Sequence, residues 1–149
     1  MISLREGLGG GLLTAIDNNL NPVLISAGNE HFEALIIQVK IGSKDLRIFN
    51  CYGPQELCQS QRPASEQTAS INTFWQELEK EIINAYEGNC MIVIEMDANA
   101  KIGILGEEIS RNGKKIIEVF ESTDLIIMNQ NRKVCKTGER KPVIVSFTR

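Results

Sequence analysis

Apolar residues alternate with polar ones, or form short runs, in several parts of the chain, and these patterns predict strands. Over residues 34–41 apolar side chains recur at every second position, and a second apolar run covers residues 46–52. The residues between them, Gly42-Ser-Lys-Asp45, are turn formers, so the two runs predict a hairpin. The run over residues 90–94 is apolar throughout and predicts a buried central strand. Further short strands are predicted over residues 11–16, 124–128 and 142–147.

Two segments carry the helical spacing of apolar residues instead. The first begins at Ser70, a good N-cap, and runs to about Tyr86. Its apolar stripe consists of Ile71, Phe74, Trp75, Leu78, Ile82 and Ile83. The second helix is predicted over residues 114–122. Its inward-facing residues are predicted to be Ile116, Ile117, Val119 and Phe120. Residues 54–68 are polar and contain two prolines, which predicts a long surface loop.

The order of these elements predicts an α+β fold, in which helices cover the faces of a mixed sheet. At 149 residues the chain has the size of one domain, and it shows no internal repeat or linker. Strand-like sequence begins almost at the first residue, and the chain stops directly after an apolar strand. We therefore expect residues 1–149 to form a single, incomplete domain.

Composition and charge narrow the functional classes. Sixteen Lys and Arg against nineteen Asp and Glu give a net charge of −3, which excludes nucleic-acid binding through overall basic charge but leaves a local basic groove open. Four cysteines (Cys51, Cys58, Cys90 and Cys135) form no C-x-x-C pair, and the single histidine, His31, cannot complete a common zinc set with them. No apolar run approaches the about 20 residues that cross a bilayer, and no signal peptide is recognisable. We expect reduced thiols, an intracellular location with the nucleus included, no membrane association and no obligate protein partner.

Asp97 and Asn99 are the most informative polar pair in the chain. They follow a buried strand two residues apart and can therefore point the same way, on a rigid part of the scaffold. A carboxylate and an amide so placed could orient a water molecule and donate a hydrogen bond to a phosphoryl oxygen. The same residues also suit an Asx-turn out of the strand, and from the triplet alone both interpretations stay open. Tyr52, before Gly53-Pro54, could donate its phenol to a phosphate or simply end a strand at the sheet edge.

Other motifs fit known sites less well. The glycines within residues 7–11 lack the strand and helix of a dinucleotide fingerprint, and residues 106–115 lack the spacing of a P-loop. An unrelated α/β nucleotide binder, which needs such a loop, is therefore the weakest interpretation. The basic segment over residues 132–141 suits a solvated charged loop or a contact with a nucleic-acid backbone.

Together, these motifs resemble the endonuclease/exonuclease/phosphatase family with the DNase I-like fold, and within it the endonuclease domains of non-LTR (LINE-type) retrotransposons. The motifs that carry the likeness are the Gly-rich run over residues 9–16, Asn50-x-Tyr52-x-Pro54, Phe74-Trp75, Asp97-x-Asn99-Ala-x-x-Gly103, Asn112-Gly113-Lys114 and residues 124–129. The resemblance implies a partial four-layer α/β/β/α sandwich with mixed, mostly antiparallel sheets. It leaves other branches of the family open, among them repair nucleases, sphingomyelinases and inositol phosphatases.

The resemblance implies a phosphodiester hydrolase that cuts DNA by metal-assisted attack of water, usually with Mg²⁺ as the cation. By that resemblance, Asp97 orients or helps to activate the water, Asn99 contacts the scissile phosphate, and Tyr52 stabilises its developing charge. Asn50 supports the site. Gln55 stands where many relatives carry Asn and is the corresponding candidate for a substrate contact.

The sequence also departs from the family. Glu95 stands where the family usually has Gly. The family's N-terminal strands, one of which carries the metal-binding Glu, are absent, and residues 143–147 do not supply its C-terminal Ser-x-x-Asp strand or Asp-His pair. Metal charge neutralisation and water activation are each worth several powers of ten in rate. The missing strands also leave sheet edges and core faces exposed. We therefore expect the chain alone to be weakly stable and catalytically inactive. Two hypotheses follow: a fragment of a retrotransposon-like endonuclease, upstream of a reverse transcriptase, or a catalytically dead relic or binding scaffold of the same fold.

Overall fold

A mixed five-stranded sheet carries two helices on one of its faces in the computed structural model, which describes residues 11–56, 64–103, 107–126 and 143–146. The strands, in their order across the sheet, are β1 (Val23–Ser26), β2 (Ala34–Ile41), β3 (Lys44–Tyr52), β4 (Met91–Asp97) and β5 (Val143–Ser146). The helices are α1 (Ala64–Glu87) and α2 (Arg111–Ser122). Only β3 and β4 pair in parallel, and the other three neighbouring pairs are antiparallel. The predicted α+β class and mostly antiparallel sheet are thus confirmed.

The predicted hairpin is confirmed as β2 and β3, but its turn is shorter than expected. Ile41 pairs with Lys44, so only Gly42 and Ser43 lie in the turn, and Asp45 belongs to β3. Gly42 has a φ of +63°, a left-handed conformation that glycine adopts without strain and that two-residue hairpin turns require.

One continuous core lies between the sheet and the helices. Helix α1 contributes Phe74 and Trp75, whose rings meet edge to face at 5.2 Å between centroids, and Phe32 contacts Phe74 at 5.3 Å. The sheet contributes alternate, buried residues: Ala34, Ile36, Phe49, Cys51, Ile92, Ile94 and Met96. The C-terminal ends of the two helices are joined by a hydrogen bond, which the Tyr86 hydroxyl donates to the Thr123 carbonyl at 2.8 Å. This packing fixes the helix layer on one face of the sheet.

The other face of the sheet is also apolar. Leu35, Ile37 and Val39 of β2 are buried there, although they belong to no helix-facing core. The 3-10 turn Asn18–Leu20 contacts β2. A strand that is buried on both faces is typical of a sheet with a layer on either side. The part of the chain that the structure describes thus supplies one helix layer and one sheet layer of the expected sandwich.

Several predicted boundaries are wrong, each for a local reason. Helix α1 begins at Ala64 rather than at Ser70, because no glycine or proline interrupts the intervening residues and Glu66 suits a first helical turn. Ile83 is 46% exposed, since it lies at the margin of the apolar stripe. Within helix α2, the prediction that Ile116, Val119 and Phe120 face inward is confirmed, and Ile117 is half-buried.

Two predicted strands are not strands of the sheet. Residues 11–16 run outside the five strands, with a single bridge residue at Leu13, whose carbonyl also accepts a hydrogen bond from the Asn50 side chain of β3. Asp124 has a φ of +55°, and the Leu125 N–H donates to the Phe120 carbonyl at 2.8 Å, so this apolar run closes helix α2. Residues 127–128 lie outside the described residues, as do Cys58, Cys135 and the basic segment.

Strand β1 was not expected. It is only four residues long, follows Pro22, and is apolar without alternation, so it lacks the period that marks a half-buried strand. Strand β4 runs to Asp97, beyond its predicted end, and lies between β3 and β5 as a central strand. The predicted final strand is confirmed as β5. Neither described helix is long and apolar enough to cross a bilayer.

Candidate functional site

Four polar residues form a two-by-two block where the parallel strands β3 and β4 end. The register pairs Asn50 with Glu95 and Tyr52 with Asp97. The residues that alternate with them belong to the core under the helices. Because neighbours along a strand point to opposite faces, the four polar side chains lie together on the face away from the helices. We call these four residues the polar block.

Asp97 ends β4 with an exposed side chain that also shapes the chain beyond it. Its Oδ1 accepts a hydrogen bond from the Asn99 N–H at 3.1 Å. Asn99 has a φ of +46°, a left-handed conformation that Asn tolerates better than most residues. This is the Asx-turn that the sequence left open, so the Asp97 carboxylate has a structural partner in addition to any chemical role.

The side chain of Asn99 joins the ends of β3 and β4. Its Nδ2 donates to the Gly53 carbonyl at 2.7 Å, and the Gly53 N–H donates to the Asp97 carbonyl at 2.7 Å. A Cβ on Gly53 would lie 2.7 Å from the Ala98 carbonyl oxygen, so only glycine allows this approach. We call the segments Gly53-Pro54 and Ala98-Asn99 the exit junction. The Gly53 carbonyl acceptor was not predicted, because its only signal in the sequence is the Tyr-Gly-Pro turn.

The phenol of Tyr52 is held by its own loop. Gln55 Nε2 donates to the Tyr52 hydroxyl oxygen at 2.8 Å. Tyr52 is half-buried and Gln55 is exposed. Two of the residues predicted to meet the substrate are therefore in direct contact, with the phenol oriented by the amide.

Asn50 contacts a segment that precedes the sheet. Its Nδ2 donates to the Leu13 carbonyl at 3.1 Å and to the Thr14 hydroxyl at 3.0 Å. The contacts hold residues 13–14 against β3. Glu95, the residue that departs from the family pattern, is exposed beside Asn50 on the next strand.

The metal and thiol chemistry of the described residues is limited. They contain no group of three or more His, Cys, Asp or Glu side chains arranged to hold a metal ion. Magnesium therefore remains a prediction. Cys51 and Cys90 are free, buried thiols, and burial raises the pKa of the Cys51 thiol, which keeps it protonated. His31 is exposed and contacts Glu30, as expected of a loop residue.

The similarity of this chain to known proteins is confined to solved structures. No protein-family profile matches the chain, and no curated protein matches its sequence. Among solved structures, it is similar to the endonuclease domain of TRAS1, a telomere-specific non-LTR retrotransposon, with 14% identity and a TM-score of 0.46. The similarity covers 87% of this chain and 57% of that structure. At such values neither activity nor substrate follows from it.

Proposed function

We propose that this chain is a fragment of a divalent-metal-dependent DNA endonuclease of the retrotransposon type. The observation that carries the proposal is the register pairing of Tyr52 with Asp97, with Asn99 two residues further on. The pairing brings a phenol, a carboxylate and an amide to one edge of a packed sheet. The chain spans 57% of the similar structure. We therefore assign the proposed endonuclease activity to a longer protein that contains this chain.

The proposed reaction is hydrolysis of a phosphodiester by water. The oxygen of the water bonds to phosphorus while the opposite P–O bond breaks, and the leaving oxygen takes up a proton. Asp97 orients the water, since its carboxylate is exposed at the end of β4. Tyr52 donates its O–H to a non-bridging phosphoryl oxygen, and the second N–H of the Asn99 amide donates to another.

A divalent cation would supply charge neutralisation to this reaction. Mg²⁺ is usually held by one or two carboxylates, waters and substrate phosphate rather than by a complete protein cage. Asp97 and Glu95 are the exposed carboxylates of the polar block. The described residues alone do not assemble a metal cluster, so the cation would depend on the substrate or on residues beyond them.

A second candidate is a scaffold that binds DNA without cutting it. The observation that favours it is the position of the Asn99 amide, which donates to the Gly53 carbonyl and so serves the exit junction. The Asx-turn through Asp97 favours the same alternative, because it gives the carboxylate a structural role. In this alternative Asp97 and Asn99 stabilise the exit junction and take no part in chemistry.

The test combines nicking of supercoiled plasmid with binding of a labelled DNA duplex, each titrated with Mg²⁺. The variants are Asp97→Ala with Asn99→Ala, and Tyr52→Phe. Glu87→Ala, an exposed acid at the end of α1, is the matched control. Far-UV circular dichroism establishes that each variant is folded.

The endonuclease proposal expects Mg²⁺-dependent binding that both site variants weaken and the control does not. Nicking by the wild-type chain that is lost in the double variant would strengthen it and refute the expected inactivity of the chain alone. DNA affinity that is unchanged by Mg²⁺ and by both site variants would instead support the scaffold. Absence of both nicking and binding in a folded chain would refute the two together.

A further inference from the structure

Asn112 is the most completely buried polar residue of the described chain and lies in the first turn of α2. Its side chain is 0% exposed, so its carboxamide depends on protein partners for hydrogen bonds. The Oδ1 accepts from Trp75 Nε1 at 2.9 Å, which ties α2 to the core of α1. The Nδ2 donates to the Pro54 carbonyl at 2.5 Å and to the Asn99 carbonyl at 3.3 Å. One amide group therefore contacts both halves of the exit junction.

The backbone around Asn112 reinforces the same contacts. The Asn112 N–H donates to Glu56 Oε1 at 2.7 Å, which holds the chain after β3 against the start of α2. On the other side, the Ser110 N–H donates to the Lys101 carbonyl, and the Lys101 N–H donates to the Ser110 hydroxyl. A Cβ on Gly113 would lie 1.9 Å from the Lys101 carbonyl oxygen, so glycine is required for the loop to approach. The Asn-Gly pair thus joins α2 to the chain after each strand.

The two ends of the carboxamide serve different partners. The acceptor end serves Trp75, and a carboxylate of the same size could replace it. The donor end serves Pro54 and Asn99, and among side chains of this length only Asn supplies two N–H groups together with an acceptor. The donor requirement is therefore specific to the exit junction and separate from the packing of the helices.

We infer that Asn112 is a positioning residue that sets the geometry of the exit junction, and through it the placement of Asp97 and Asn99. The inference deepens the proposed function, and it rests on that function for the claim that the exit junction is part of a substrate site. The geometry itself can be tested without any activity.

The test separates the two ends of the amide. Asn112→Asp keeps an acceptor for Trp75 and removes both donors, whereas Trp75→Phe removes the indole donor and leaves the Asn112 donors in place. Amide hydrogen exchange of the full chain is followed at Gly53, whose N–H donates to the Asp97 carbonyl, and at Phe49 in the middle of β3. We expect Asn112→Asp to lower the protection of Gly53 about tenfold more than that of Phe49. We expect Trp75→Phe to change the two equally.

Equal loss of protection at Gly53 and Phe49 in Asn112→Asp would overturn the inference, because it would reveal a general loss of stability. If Asn112→Asp does not fold, hydrogen exchange of the wild-type chain tests the inference instead. Slow exchange of the Asn112 side-chain N–H protons supports the inference, and exchange as fast as that of the exposed Asn89 side chain overturns it. If the wild-type chain nicks DNA, Asn112→Asp should lower kcat with KM unchanged. If the folded wild-type chain neither nicks nor binds DNA, the proposed function fails while the exchange result still stands.

Discussion

Tyr52 and Asp97 are register partners at the ends of two parallel strands, and their side chains share the face of the sheet away from the helices. Parallel neighbours keep their side chains in step, so the phenol and the carboxylate are placed by backbone pairing rather than by a flexible loop. The contact between Gly53 and Ala98 then fixes how the chain leaves both strands. The candidate site is thus as rigid as the sheet that carries it.

The close approach at Gly53 predicts the effect of adding one methyl group. Gly53→Ala would force its Cβ to within 2.7 Å of the Ala98 carbonyl oxygen, a backbone atom that cannot move alone. We expect urea unfolding to show a loss of about 1–3 kcal/mol. Gly88→Ala is the control, because its Cβ would meet nothing nearer than 3.4 Å. Equal stability of the two variants would contradict the description of the junction.

The buried Cys51 thiol predicts a pH dependence of stability. Below pH about 8.5 the thiol is protonated in both the folded and the unfolded chain and has no effect. Above it the unfolded chain releases the proton while the folded chain, with its raised pKa, keeps it. The free energy of unfolding should therefore fall by about 1.4 kcal/mol per pH unit from this group.

Urea unfolding under reducing conditions between pH 7.5 and about 10 measures this slope. The comparison is with Cys51→Ala, which removes the thiol and leaves the other alkaline groups unchanged. The alanine variant should show the shallower decline. Parallel curves for the two proteins would mean that Cys51 ionises in the folded state.

The polar block predicts an interaction between neighbouring strands. Asn50→Asp removes the donors to Leu13 and Thr14 and sets a carboxylate directly beside Glu95. We expect a loss of about 1–2 kcal/mol in urea unfolding, from lost hydrogen bonds and like-charge repulsion. Adding Glu95→Gln should restore about 0.2–1 kcal/mol, since it removes only the repulsion. Strictly additive effects of the two substitutions would show that the side chains do not interact.

The single core between sheet and helices predicts a strong contrast between two isoleucines. Ile94 on β4 is 0% exposed, and Ile94→Ala should cost about 2–5 kcal/mol. Ile126 is 56% exposed beyond α2, and Ile126→Ala should change stability by less than about 0.5 kcal/mol. Chemical denaturation of both variants checks this. A small effect at Ile94 would mean that the helices do not pack on the sheet in solution.

Much of the fold could be predicted because the spacing of apolar residues that marks a strand or a helix lies within a single element. The alternation in β2 and the stripe through Trp75 each follow from side-chain geometry within one element. What could not be predicted depends on contacts between distant residues. Strand β1 is recognisable only through its pairing with β2, and residues 64–69 of α1 are mostly polar, so they do not extend the apolar stripe that marks the helix.

The candidate site divides in the same way. Tyr52, Asp97 and Asn99 could be singled out because polar residues at the end of an apolar strand are conspicuous. The bond from Gln55 to the phenol and the bond from Asn50 to Leu13 could not be derived, because both depend on side-chain conformations. Asn112 was visible only as part of a motif, since its partners lie in three separate segments of the chain.

The crossover between the parallel strands β3 and β4 has a consequence for the order of folding. The hairpin of β2 and β3 closes through a two-residue turn, an event on the scale of about 1–10 µs. Pairing of β3 with β4 must wait for a long loop to close around α1, and such non-local contacts form slowly. During synthesis, the Tyr52 edge emerges from the ribosome well before Asp97 does. The edge of β3 that pairs with β4 is therefore unpaired until β4 is synthesised. A nascent chain stalled before β4 should be the species most prone to aggregate.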